Sequence, residues 1–120
     1  MNMFMNDFYT LHPVETTDSS LKCKVVFNQN HPIFLGHFPS QPVVPGVCMM
    51  QLVKASIEMI SSYSLVLRTA PQVKFLRLIT PDISPMLTLN WKDMEGKLSV
   101  QALLENEGAC FKMQANYERL

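Results

Sequence analysis

The sequence predicts an α+β fold, in which one curved antiparallel β-sheet wraps around one long central α-helix. Two observations indicate this class. The segment Gly46–Ser62 has helix length, contains no internal breaker and is apolar over most of its surface. Segments with strand-like alternation lie on both sides of it in the sequence, and glycines separate the last of them. A helix this apolar has to be covered on most sides, and in a small protein a wrapping sheet provides that cover.

The predicted helix carries one narrow polar stripe. Four of its polar residues, Gln51, Lys54, Glu58 and Ser61, follow one another at spacings of three, four and three residues, which places them on one face. Most other positions between Val47 and Ile60 are apolar. We therefore expect the stripe to face solvent or a substrate channel and the rest of the helix to be buried.

The strand predictions rest on alternation of apolar and polar residues. Leu21–Asn28 alternates as a half-buried strand does. Val73–Ile79 is apolar on both faces and predicts a central strand. Between Leu87 and Tyr117 three alternating segments are separated by Asp93–Gly96 and Asn106–Gly108. Because glycine supplies the positive φ that hairpin turns need, these segments predict an antiparallel meander.

Length and charge favour one domain, residues 1–120, without a nucleic-acid partner. The 120 residues carry ten basic and ten acidic side chains, so the formal net charge is zero. A chain with this balance lacks the basic footprint of nucleic-acid-binding domains. Candidates for a local basic patch are Lys22, Lys24, Lys54, Lys74, Arg68 and Arg77.

Neither a metal nor a cofactor is expected. The three cysteines, Cys23, Cys48 and Cys110, have no metal-ligand spacing and are predicted to be reduced and buried. A site built from His31, His37 and Cys48 fits no known ligand pattern. The four glycines form neither a phosphate-binding loop nor a dinucleotide fingerprint.

The N-terminus predicts no targeting segment. It has neither a basic region nor a long apolar stretch, and no apolar run in the chain approaches a membrane span. We therefore expect a cytoplasmic protein. Phe4 and Phe8 stand four residues apart and predict a short docking helix.

The segment Asn30–Gln51 carries the strongest functional signal. His37 lies in a loop framed by Gly36 and several prolines, and a Pro45-Gly46 step opens the helix after it. An imidazole close to the free amides of a helix start combines a base with a site for developing negative charge. A structural histidine is the alternative for His37, and we consider a functional base the better interpretation in this context.

This segment resembles the β-hydroxyacyl-acyl-carrier-protein dehydratases of fatty-acid synthesis, which have the hot-dog fold. The motifs N-x-P-x-F-x-G-H-F-P and P-x-x-P-G-V match that family, and Val73-Lys74-Phe75-Leu76-Arg77 before Pro81 resembles its strand after the helix. The resemblance extends over about Leu21–Tyr117.

The resemblance implies roles for individual residues. His37 matches the catalytic base, Gly46 the glycine whose amide polarises the thioester carbonyl, and Val43 the residue whose carbonyl orients the imidazole. Phe38, Val47 and Met50 are expected to contact the substrate.

Gln51 departs from the family pattern. The family has glutamate or aspartate here, which handles the departing β-hydroxyl from the neighbouring subunit's helix. An amide can hydrogen-bond a hydroxyl but cannot deliver a proton near neutral pH. Glu58 is an improbable substitute because it lies about 10 Å further along the helix. Gln51 is interpreted either as a substrate-orienting residue or simply as part of the polar stripe.

Three functions follow as hypotheses. The first is a hydro-lyase that dehydrates a 3-hydroxyacyl thioester on acyl carrier protein to the trans-2-enoyl form. The alternatives are an acyl-thioesterase of the same fold, and a degenerate carrier-binding subunit that needs a partner. The partners implied are acyl carrier protein with its phosphopantetheine-linked chain, and a second subunit, in a homodimer, a trimer of dimers or a heterodimer.

Overall fold

The computed structural model describes residues 8–35 and 41–120. Along these residues six strands and two helices follow one another: β1 (Tyr9–Thr16), β2 (Ser20–Phe27), α1 (Pro32–Leu35), α2 (Gly46–Ser61), β3 (Leu65–Phe75), β4 (Met86–Met94), β5 (Lys97–Glu105) and β6 (Ala109–Arg119). Neither helix in this part of the chain has the length and hydropathy needed to span a membrane.

All six strands form one antiparallel sheet in the order β1-β2-β4-β5-β6-β3. The predicted α+β class, with one sheet and one long helix, is confirmed. The predicted meander is β4-β5-β6, and both of its turns place a glycine at positive φ: 87° at Gly96 and 130° at Gly108. Strands β1 and β3 form the two edges of the sheet.

Helix α2 packs one side against the concave face of the sheet. Its buried residues are Cys48, Met49, Leu52, Val53, Ala55, Ser56 and Ile57. Ser56 is the polar member of this set, and its hydroxyl donates to the Leu52 carbonyl at 2.7 Å, so it is buried without an unsatisfied donor. The opposite flank of the helix is open: Val47 is 70% exposed and Gln51 is exposed.

The helix ends at a left-handed residue and turns directly into β3. Ser62 has φ 62°, and its N–H donates to the Glu58 carbonyl at 3.1 Å. The Glu58 carboxylate accepts a second hydrogen bond, from the Leu65 N–H at 2.8 Å. One glutamate therefore joins the last helical turn to the first residue of β3.

The first strand was not predicted. The only expectation for this part of the chain was a docking helix from Phe4 and Phe8, and Phe4 lies outside the described residues. Strand β1 (Tyr9–Thr16) is exposed along most of its length. Because neither of its faces is buried along the strand, its sequence does not need to alternate between apolar and polar residues. Its backbone pairs with β2, with a register shift between Pro13 and Glu15.

The prediction of a central strand over Val73–Ile79 was wrong. Strand β3 runs earlier, over Leu65–Phe75, and lies at the sheet edge with only β6 as a neighbour. It has two register shifts against β6, between Leu67 and Gln72. Only Leu65 of this strand is buried, so no alternating pattern marks it in the sequence. The apolar residues after it are exposed: Leu76 by 49% and Leu78 by 74%.

The prediction for the cysteines was correct. All three are free and buried. Burial raises the pKa of the Cys23 thiol to about 11 and also raises the pKa of Cys48. Both thiols are therefore protonated near neutral pH, which makes them poor nucleophiles.

Candidate active site

Helix α2 begins without a side-chain cap. Pro45 stands at the N-cap with an extended backbone (φ −62°, ψ 144°), and no acidic residue occurs in the first turn. The Cys48 N–H donates to the Pro45 carbonyl at 3.0 Å, whereas no protein acceptor is found for the Gly46 N–H among the described residues. Among the described residues, no side chain caps or neutralises the positive end of the helix.

A groove of about 430 Å³ opens beside this helix start. One wall is the approach to the helix and the other is the chain that leaves β3; the lining residues are Val43, Val44, Pro45, Gly46, Met49, Phe75, Leu76, Arg77 and Leu78. A hydrogen bond from the Val44 N–H to the Ile79 carbonyl, 2.7 Å long, ties the two walls together. The lining is apolar apart from Arg77 and exposed backbone, so a carbonyl group entering it would meet few competing polar side chains.

The Phe75 ring approaches Gly46 closely. A Cβ built on it would lie 2.8 Å from Cε1 and 3.0 Å from Cζ of Phe75. The Phe75 ring also packs against Phe111, with 5.3 Å between ring centroids. The ring therefore lies directly over the first residue of the helix and forms one side of the groove.

Gly46→Ala is expected to lower the free energy of unfolding by about 1–2 kcal/mol. Overpacking costs about 1–3 kcal/mol, and the better helix propensity of alanine returns about 0.5–1 kcal/mol. Urea denaturation measures the change. In a Phe75→Ala background, where the ring is absent, the same substitution should be neutral or stabilising. An equal loss in both backgrounds would contradict the proposed contact.

The predicted site residues fall into three groups. Val43 and Gly46 line the groove. The other three helix residues, Val47, Met50 and Gln51, are not part of its lining. His37 and Phe38 lie outside the described residues.

Gln51 faces away from the groove in the single chain. It lies about 7.5 Å along the helix from Gly46 and about 140° around it, but only about 40° from Val47. Val47 and Gln51 are both exposed. A single chain therefore does not bring Gln51 to the groove that Gly46 lines.

No carboxylate in the described part of the chain takes the place of the expected acid. None lines the groove. Glu58 accepts the Leu65 N–H, at the opposite end of the helix from Gly46. Glu58 therefore has a structural role. This agrees with the expectation that it lies too far along the helix to replace the acid expected at Gln51.

An aromatic cluster holds the chain where it enters the segment 36–40. Phe8 packs against Phe27, Phe34 and His31, with ring centroids 5.7, 5.5 and 5.1 Å away. His31 Nδ1 accepts the Ile33 N–H at 3.1 Å. His31 is half-buried and holds the start of α1.

The second wall of the groove was not predicted from the sequence. Phe75, Leu76, Arg77 and Leu78 were assigned to a central strand. Phe75 is the last residue of β3, the other three lie beyond its end, and all four line the site. The available signal was a cation, Arg77, inside an apolar run, which a fully buried strand does not accommodate.

Comparison with known proteins decides the family. The profile of the ApeI-like family, described as ApeI dehydratase, matches residues 13–114. The chain belongs to the ApeI-like dehydratase family. The predicted resemblance to hot-dog dehydratases is thereby confirmed.

A curated relative of this ApeI-like chain is a 3-hydroxyacyl-[acyl-carrier-protein] dehydratase FabZ from Wolbachia pipientis wMel. The two are 37% identical over 68 residues, which cover 51% of the ApeI-like chain and 48% of the relative. The match thus spans about half the length of the curated relative.

Solved structures confirm the hot-dog fold of the ApeI-like chain. The dehydratase heterocomplex ApeI:P from Xenorhabdus doucetiae has a TM-score of 0.77 at 20% identity, covering 92% of this chain and 98% of that one. A hypothetical thioesterase with coenzyme A from Streptococcus pneumoniae TIGR4 has a TM-score of 0.72 at 9% identity, covering 92% and 88%. At these identities the likeness concerns the fold alone.

Proposed function

We propose that the chain is a hydro-lyase that removes water from a 3-hydroxyacyl thioester carried by acyl carrier protein, giving the trans-2-enoyl thioester. The observation that carries the proposal is the helix start at Gly46, which no described side chain caps and which lines an apolar groove. Membership of a dehydratase family and the FabZ relative support the reaction type.

In the proposed mechanism His37 removes the proton from the carbon next to the thioester carbonyl. The Gly46 N–H donates to the carbonyl oxygen, which gains negative charge as that proton leaves. The electron pair of the broken C–H bond forms the new double bond, and the bond from the β-carbon to oxygen breaks. The imidazolium returns the proton to the departing hydroxyl, so the products are enoyl thioester and water.

Gln51 orients the β-hydroxyl in this mechanism but does not protonate it. It would do so from the helix of a second subunit, since Gln51 and the groove lie on different sides of one helix. The homodimer is therefore the simplest active assembly. A trimer of dimers would contain the same pair of subunits.

A second candidate is a subunit that depends on a carboxylate-bearing partner. The observation in its favour is that the groove is lined by no carboxylate within the described residues. The fold neighbour from Xenorhabdus doucetiae is described as a dehydratase heterocomplex. In such a pair the partner's helix would supply the acid that Gln51 does not.

An ultraviolet assay of enoyl thioester formation, with a parallel assay of thiol release, tests these functions. We expect the purified chain to convert 3-hydroxyoctanoyl acyl carrier protein to the enoyl form without releasing thiol. Activity that arises only after mixing with a carboxylate-bearing FabZ would favour the partner-dependent subunit. Thiol release without enoyl formation would favour a thioesterase, and inactivity under every condition would refute the proposed chemistry.

A further inference from the structure

A row of uncharged polar side chains crosses the face of the sheet that points away from α2. The ladder aligns Asn90 with Gln101 and Gln101 with Gln114. Gln72 continues the row on β3, opposite Gln114, and Ser20 continues it on β2, opposite Asn90. Five neighbouring strands therefore each contribute one residue to the row, and four of these residues are amides. We call this surface the amide face.

The centre of the amide face carries no formal charge. On β5, Ser99 and Leu103 are the neighbours of Gln101 on this face, and on β6 Asn116 follows Gln114. The centre of a protein interface is depleted in charged residues relative to the rest of the surface. The amide face has this composition although most of its side chains are exposed.

The amides of the row have no hydrogen-bond partner within the part of the chain that the structure describes. The neighbouring Asn116 does have one, since its Nδ2 donates to the Thr69 hydroxyl at 2.8 Å. An amide side chain carries two N–H donors and one carbonyl acceptor. Because each amide of the row can both donate and accept, the row is complementary to a second copy of itself.

Strand β5 carries opposite charges at the two ends of this face. Gln101 is the middle residue of the strand, Lys97 is the first and Glu105 is the last, and all three point away from the buried side. If two copies stack with their β5 strands antiparallel at Gln101, Lys97 of each copy lies near Glu105 of the other. Parallel stacking would instead place lysine near lysine and glutamate near glutamate. Electrostatic complementarity therefore favours the antiparallel arrangement.

The two strands beside β5 are compatible with the same arrangement. Reversing β4 about its residue of the row places Lys92 opposite Thr88, and reversing β6 places Lys112 opposite Asn116. On these strands no lysine then meets another lysine, so the arrangement carries no like-charge repulsion between them.

The amide face is large enough for a specific contact of modest strength. Strands about 4.8 Å apart with a rise of about 3.4 Å per residue give an area of about 600 Å² for five strands along the nine residues of β5. Two copies would together bury about 1,200 Å², which is at the lower end of the range for specific interfaces.

We propose that the amide face binds the amide face of a second copy of this chain, about a two-fold axis that passes through Gln101 and runs across the strands. The two sheets would pack about 10 Å apart. This contact goes beyond the proposed function and does not depend on it. It also leaves α2 free, so it can join two of the homodimers in which Gln51 of one subunit reaches the groove of the other.

Opposite charges introduced at Gln101 test the axis by sedimentation velocity over a concentration series. Gln101→Glu and Gln101→Lys each bring two like charges together where the axis passes, because the contact is isologous. We expect each variant alone to weaken the dissociation constant of this contact at least about tenfold, since like-charge juxtaposition costs several kcal/mol. A mixture of the two variants should regain the mass of the parent protein, because a glutamate then faces a lysine.

Gln41→Glu is the matched control, since it makes the same chemical change at an exposed position outside the sheet. It should keep the mass of the parent protein. Parent-like association of both Gln101 variants would overturn the proposal, and so would equal dissociation of the Gln41→Glu protein. A mixture that stays dissociated would also overturn it, because Gln101 would then meet a different surface. Thermal melting checks that each variant is folded.

A charge exchange on β5 tests the antiparallel orientation. Lys97→Glu alone should weaken the contact, because it places a glutamate near Glu105 of the other copy. The double variant Lys97→Glu with Glu105→Lys should regain the association of the parent protein, since opposite charges again lie near each other. A double variant that associates no better than Lys97→Glu would overturn the antiparallel arrangement.

Discussion

His37→Ala is expected to lower the rate of dehydration by about 10²–10⁴-fold. General acid–base catalysis by one positioned side chain contributes about this much, which corresponds to about 3–5 kcal/mol of activation free energy. The upper part of the range is expected because, in the proposed mechanism, His37 carries out both proton transfers when Gln51 cannot protonate the leaving group. The measurement is kcat with 3-hydroxyoctanoyl acyl carrier protein.

His12→Ala is the matched control for His37→Ala. His12 is exposed on β1, and its imidazole forms a hydrogen bond with the Thr10 hydroxyl at 3.0 Å. Its loss should leave kcat and carrier binding unchanged. A His37→Ala protein that retains more than a tenth of the parent activity, with normal carrier binding, would remove His37 from the mechanism.

Gln51→Glu is expected to raise dehydratase activity at least about tenfold. A carboxylic acid at this position can protonate the departing hydroxyl, and positioned acids contribute about 10²–10⁴-fold in general. The side chain is exposed in the single chain, so the substitution should not disturb the core. Because only the protonated acid donates, and a carboxyl titrates near pH 4.3 when unperturbed, the gain should increase as the pH falls.

Lys54→Glu is the control for the charge of the new side chain. Lys54 belongs to the same polar stripe but lies about 4.5 Å further along the helix, and it is half-buried. We expect no comparable gain from it. An equal gain from both substitutions would point to a general charge effect. If Gln51→Glu gives no gain, Gln51 does not face the reacting hydroxyl.

Gln51→Glu also distinguishes an active homodimer from a subunit that depends on a carboxylate-bearing partner. If the homodimer is the active form, the variant gains activity by itself and mixing with a carboxylate-bearing homologue adds nothing. If the chain depends on such a partner, the parent protein gains on mixing. The variant would then gain less from mixing, because it already carries the acid.

The predictable elements are those in which the apolar and polar residues of the sequence match the buried and exposed side chains of the fold. The helix was placed at Gly46–Ser62 and observed at Gly46–Ser61, since an uninterrupted apolar run after a Pro-Gly step leaves few alternatives. Strand β2 and the meander kept their alternation because each has one face on the helix and one in solvent. The P-x-x-P-G-V motif similarly predicted Gly46 as a site residue, and Gly46 lines the groove.

The edge strands were unpredictable for a common reason. Strand β1 and the first half of β3 bury few side chains, so their sequences are not constrained to alternate. Backbone hydrogen bonds to a single neighbour hold them in the sheet. Pairing of this kind depends on the neighbouring strand and does not require apolar and polar residues to alternate in the sequence of the edge strand.

The sequence by itself determined the α+β class, the buried helix and the placement of Gly46 after the His37 motif, because each is encoded by residues close together in the chain. Only the tertiary structure decided that Phe75 lies over Gly46, that Gln51 turns away from the groove, and that Glu58 is bound to the start of β3. The first two depend on where the end of β3 lies relative to the start of the helix, which is a long-range contact that no local pattern specifies. The third depends on the turn between the helix and β3, which brings the Leu65 N–H to the Glu58 carboxylate.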